Sequence, residues 1–121
     1  RAALAEGMSA DVLAGIGTAH LKLGRLHTAE RVLRRALDRD EEAQEIWNNL
    51  GVVLMEKGET GEAADVFRRA YALDDGHSDS IRDNLRLALE KSENPEYDGD
   101  ADNGYKLVRR GSSDYLIRKI P

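Results

Sequence analysis

The chain has 121 residues, 34% of them charged and 40% hydrophobic, with a net charge of -5. That length suits one domain, and the acidity argues against a nucleic-acid partner, because Arg34-Arg35, Arg68-Arg69 and Arg109-Arg110 each have acids nearby instead of forming a basic face. The lack of cysteine excludes disulfides, thiolate zinc sites and thiol nucleophiles, and no run of 18 apolar residues suits a membrane span.

Residues 1–6 read as the end of a helix whose partner helix is missing, so at least one further repeat is expected upstream of Arg1. Leu13, Ile16, Gly17, His20 and Leu23 then follow the i, i+3, i+4, i+7 spacing of a helix over 10–23. Gly24 marks its end, where a left-handed residue favours glycine. Ala29, Val32, Leu33 and Ala36 form the inner stripe of a second helix over 27–39, with Thr28 as its N-cap or a first-turn residue.

The pattern then repeats 34 residues on. Gly17 falls on Gly51, Gly24 on Gly58, Ala29 on Ala63, and Arg34-Arg35-Ala36 on Arg68-Arg69-Ala70. This predicts helices over 44–57 and 61–73, with Thr60 in the role of Thr28. Gly17 and Gly51 are mid-helix, where glycine costs about 1 kcal/mol against alanine. Close approach of the partner helix is the physical reason to keep them. A third copy slips by one: Ile46, Asn49, Leu50 and Leu54 reappear 35 residues later as Ile81, Asn84, Leu85 and Leu89, as if one residue were inserted near Gly76. The helix expected over 78–91 carries Arg86 where Gly51 stood. It reads as a cap with a polar face of Arg82, Asp83, Arg86, Glu90 and Lys91.

Residues 94–104 read as an acidic loop. Residues 105–110 and 115–120 are rich in Val, Ile, Leu and Tyr around a Gly111-Ser112-Ser113-Asp114 turn, a hairpin signal. A lone hairpin is marginal in water, so it must cover the last helix, fill a groove, pair with another chain or stay loose.

A 34-residue period carrying Trp47, Leu50-Gly51, Leu54, Gly58, Ala63, Phe67 and Ala70 strongly resembles the tetratricopeptide repeat family over residues 1–91. The proline usual between repeats is absent from Asp40–Glu42 and Asp74–Gly76. The resemblance implies an all-α, right-handed solenoid of about two and a half repeats with a C-terminal β-hairpin or extended tail. The expected division is the end of a preceding repeat at 1–9, repeats at 10–43 and 44–77, a capping helix at 78–93, and loop plus hairpin at 94–121. It also implies a protein or peptide partner on the concave face lined by the first helix of each repeat. Projected onto this sequence, that face offers Thr18, Leu21 and Lys22, then Asn48, Asn49, Val52 and Met55, then Asp83, Asn84 and Leu87. The two-carboxylate clamp of chaperone-tail binders does not map here. Only Asn49 fits it, so heat-shock chaperone C-termini are not expected as ligands. The overall style is similar to bacterial proteins of the family. The ending GYKLVRRG…YLI is similar to Tad (Flp-type) pilus-assembly proteins, which implies a periplasmic assembly role; the residues themselves leave cytoplasm and periplasm open.

Catalytic and metal readings are weak. Asp98, Asp100 and Asp102 alternate like the start of a calcium loop, but Asn103 and Arg109 stand where glycine and glutamate are needed. His20, His27 and His77 lack ligand spacing, and His20 reads as a part-buried packing residue. Ser112-Ser113 has no nearby base, and Gly15-Ile16-Gly17 lies inside a helix, which suits packing and not dinucleotide binding. No enzyme activity, metal or cofactor is expected. The rival readings are a self-associating module stacking through its open ends, and a regulatory domain of a larger enzyme.

Overall fold

The computed structural model describes residues 7–93, 105–108 and 114–117. The first six residues, the acidic segment 94–104 with its alternating aspartates, and Ser112-Ser113 lie outside the described residues.

Among the described residues five helices follow in order: α1 (Ala10–Lys22), α2 (Leu26–Arg39), α3 (Gln44–Glu56), α4 (Thr60–Leu73) and α5 (Asp79–Glu93). Each begins and ends within two residues of its expected position. α1 packs on α2 and α3 on α4, while α2 meets α3 and α4 meets α5. The result is two helical hairpins and a fifth helix stacked side by side. Two four-residue strands, β1 (Tyr105–Val108) and β2 (Asp114–Ile117), pair antiparallel with Tyr105 opposite Ile117 and Val108 opposite Asp114.

The mid-helix glycines show why the hairpins close. A Cβ at Gly51 would stand 2.4 Å from Cε1 of Phe67, and one at Gly17 would stand 2.7 Å from Cγ of Leu33. Phe67 and Leu33 are completely buried, so each glycine is the slot that receives the partner helix's largest fully buried side chain. Gly15 is different: it is exposed, and a Cβ there would meet nothing within 4 Å, so only Gly17 of that pair has a packing role.

Gly24 and Gly58 adopt φ of 79° and 85° just past the first helices, as their position suggested. Their amides donate to the carbonyls of Leu21 and Met55 at 3.0 Å. The caps of the second helices are Arg25 and Glu59, without side-chain cap bonds; Thr28 and Thr60 sit in the first turns.

The slip in period has a visible cause. Residues 40–43 separate α2 from α3, whereas residues 74–78 separate α4 from α5, one residue more. The longer turn contains Asp75 and Gly76, both left-handed at φ of 57° and 73°. Aspartates do the work of the missing prolines. The Asp40 carboxylate accepts from the Glu42 amide at 3.2 Å. That of Asp74 accepts from the Ser78 amide and from Gln44 Nε2, tying the turn to the previous repeat. Ser78 in turn accepts from the Ile81 amide at 3.2 Å, closing the start of α5. Asp74→Ala is expected to destabilise the fold by about 1–2 kcal/mol, since hydrogen bonds to a charged group contribute more than neutral ones. Urea denaturation measures it, and no change would remove Asp74 from this role.

An ion network ties the two repeats on the second-helix side. Lys57 Nζ donates to Glu30 at 2.6 Å, and Arg34 joins Glu30 to Glu62 at 2.9 and 3.0 Å. The bond from Lys57 draws the Glu30 carboxyl below its ordinary value of 4.5. Partial burial opposes this, and Arg34 reinforces it. A carboxyl depressed in the folded state stabilises the fold above its unfolded value and loses that contribution as pH falls through the folded one. Glu30→Gln is therefore expected to melt below the parent at pH 7. The gap should close as pH drops below 4.5. A pH-independent gap would assign the loss to packing.

Helix α5 presents Arg82, Arg86 and Glu90 to solvent, with Asp83 and Lys91 partly exposed. His20 is partly buried, as expected from its packing position.

Candidate interaction face

The first helices α1, α3 and α5 lie beside one another, α3 meeting both of the others. Their shared side carries the residues expected to bind a partner. Asn84 Nδ2 donates to Asn48 Oδ1 at 3.0 Å. Asn48 Nδ2 donates to Asn49 Oδ1 at 3.2 Å, and Asn49 Nδ2 to Thr18 Oγ1 at 3.4 Å. A chain of side-chain hydrogen bonds therefore runs from α5 across α3 to α1. Three turns of sequence more than 30 residues apart converge on one polar line.

Exposure along this face is uneven. Lys22 is exposed, and Thr18, Asp83 and Leu87 are partly so. Leu21 is buried. On α3 the expected groove residues are enclosed: Asn48 and Val52 are 0% exposed, and Asn49 and Met55 are nearly so. Asn84 and Ser80 on α5 are buried too. A two-layer solenoid leaves the inner side of its first helices open, so this enclosure is unexpected. On this side β1 lies against α3 and α5. Helix α3 thus has α1 and α5 at its flanks, α2 and α4 behind it, and a strand in front. The helical period of α3 contains no sign of that strand, which begins only at Tyr105, well beyond Glu56 where α3 ends.

On the opposite side, Arg69 stacks over the Trp47 ring at 5.4 Å while the indole N–H donates to the Glu41 carbonyl at 2.8 Å. This fixes the first turn of α3 against α4. Among the described residues no group of three or more His, Cys, Asp or Glu is placed to hold a metal ion, and no helix is long and apolar enough to cross a membrane.

Helical hairpins repeating every 34 residues, glycine-slotted within each pair and joined sideways through their first helices, define a helical-repeat protein. The tetratricopeptide repeat family matches residues 15–78, more than half of the chain, and the chain belongs to that family. Over 53 residues it is also 40% identical to tetratricopeptide repeat protein 7B of Mus musculus, and equally to that of Homo sapiens. The matched stretch is 44% of this chain but 6% of those proteins, so the chain spans a small part of the curated relatives it matches. Repeats of this family generally mediate protein–protein interaction, and the fold is typically a scaffold without enzymatic activity.

Proposed function

We propose that this chain is a protein-interaction module that takes a segment of its partner on the first-helix face, with Thr18, Leu21, Lys22, Asn48, Asn49, Val52, Met55, Asp83, Asn84 and Leu87 as its lining. The observation that carries the proposal is the hydrogen-bonded line Asn84–Asn48–Asn49–Thr18, which aligns side chains of three helices on the first-helix side. Asparagine amides offer a donor and an acceptor each, the pattern a peptide backbone needs. Val52, Met55 and Leu87 supply apolar contact beside them, methionine being the most adaptable of these.

The repeat division at 10–43 and 44–77, the cap at 78–93 and the hairpin following it are part of this reading. A place in pilus or secretion assembly rests on the GYKLVRRG…YLI ending alone, and the proposal does not depend on it. Stacking of copies through the solenoid ends and service as a regulatory domain of a larger enzyme are the alternatives.

The test uses residues that retain some exposure. Lys22→Glu with Asp83→Lys reverses two charges at the rim of the face, and Arg68→Glu with Asp65→Lys does the same on the exposed outer surface of α4. Partner recovery should fall at least ten-fold for the first pair and stay at the parent level for the second, with unchanged circular dichroism for both. Equal recovery by all three chains would defeat the first-helix face as the binding site.

A further inference from the structure

We infer that the groove between α3 and α5 is occupied in cis by strand β1, and that an extended partner segment enters by replacing this strand. The inference rests on the first-helix reading above and adds what the groove recognises and what guards it.

The first support is position. β1 lies against α3 and α5, the two first helices whose inner residues are the most deeply enclosed. The second is the chemistry of the floor. Asn48, Asn49, Ser80 and Asn84 are all at least 96% buried. Burying polar groups costs free energy unless they are hydrogen-bonded, so a cover with a purely structural role is better served by an apolar floor. A floor of amides and a hydroxyl instead suits an extended backbone, whose N–H and C=O groups are the same in every sequence. Such a floor holds β1 without being committed to the β1 side chains. The third support is size. β1 and β2 have four residues each, and a two-stranded ribbon of that length is marginal by itself. Its hold on the groove is therefore open to competition.

The partner this geometry fits is an extended peptide segment recognised mainly through its backbone. The tethered strand competes at an effective concentration in the millimolar range, as is usual for a short linker. Affinity measured on the intact chain is consequently weaker than the intrinsic affinity of the groove.

Two measurements on the full chain test this. The sequence has no cysteine, so Lys106→Cys carries a single nitroxide label. The amide signals of residues 48–55 and 80–87 should broaden, and dilution into unlabelled chain should leave the broadening unchanged. Absence of broadening, or broadening only between chains, overturns occupancy in cis. The second measurement titrates a synthetic peptide of residues 104–118 into the parent and into Lys106→Pro, where proline removes a strand donor. The variant should bind the peptide at least ten-fold more tightly, with shifts in the side-chain amide signals of Asn48, Asn49 and Asn84. Equal affinity for the two chains, or no binding to a variant with intact helical circular dichroism, overturns the exchange. Should Lys106→Pro lose its helices, Leu107→Gly serves in its place. A negative label result together with loss of partner recovery in the charge-reversed chain would sink this inference while leaving the interaction face standing.

Discussion

Phe67→Ala is expected to destabilise the chain by about 3–5 kcal/mol, the usual cost of removing a buried phenylalanine. Its ring is fully buried and fills the slot over Gly51, so the cavity opens at the closest approach of α3 and α4. Collapse of the site is hindered because the two backbones are already as near as the glycine allows. Domains of this kind have roughly 5–15 kcal/mol of stability in all, so the loss is a large share of it. Urea titration should show a lower midpoint with an unchanged slope, the signature of lost stability without a change in exposed surface. A loss under about 1 kcal/mol would mean that the slot is not a core site.

The second large effect comes from the other side of the same contact. Alanine is a better helix former than glycine by about 1 kcal/mol, so propensity alone says that Gly51→Ala should stabilise α3. The geometry says the reverse. The new methyl carbon would stand 2.4, 2.6 and 2.8 Å from three atoms of the Phe67 ring. A ring is rigid and buried, so relief requires the helices to separate, at a cost of about 1–3 kcal/mol. Gly17→Ala should cost less, because its neighbour Leu33 offers Cγ and Cδ2 of a branched, rotatable side chain at 2.7 and 2.9 Å. Gly15→Ala should raise stability by about 0.5–1 kcal/mol, since that site is exposed with nothing in reach. Three glycines in corresponding helices are thus expected to respond in order, with a change of sign. Thermal melting of the three single variants checks it. The pair Gly51→Ala with Phe67→Leu should lose less than the sum of its parts, because the smaller side chain makes room for the methyl.

These contacts also show which features the sequence makes legible and which it hides. Helix positions were readable because apolar residues, slot glycines and turn glycines each recur with the period of one repeat, so every element is signalled twice. The slip was readable for the same reason, and the longer 74–78 turn explains it physically. The role of Asp40 and Asp74 was hidden, since an acidic residue in a turn has many possible partners and only coordinates show that its carboxylate accepts from the backbone. Among the proposed interaction residues, the faces of Thr18, Asn48, Asn49 and Asn84 follow from helical spacing. Their depth does not. Asn48 is fully buried, and β1, far downstream at Tyr105–Val108, lies on α3; helical period does not encode so distant a contact.

The sideways chain of asparagines has a further consequence for how such an array can be rearranged. The second helices of the two repeats are close to interchangeable, sharing Ala29 with Ala63, Val32 with Val66 and the Arg-Arg-Ala run. The first helices are not. At the positions of Asn48 and Asn49 the earlier repeat has Ala14 and Gly15, and opposite Thr18 the later one has Val52. A recombinant with the two repeats in reverse order would keep every helix and every glycine slot, yet its neighbours along the solenoid would meet with mismatched hydrogen-bonding groups. The repeats are therefore addressed, each by the polar residues it shows to the next, and their order is written into the structure separately from their fold.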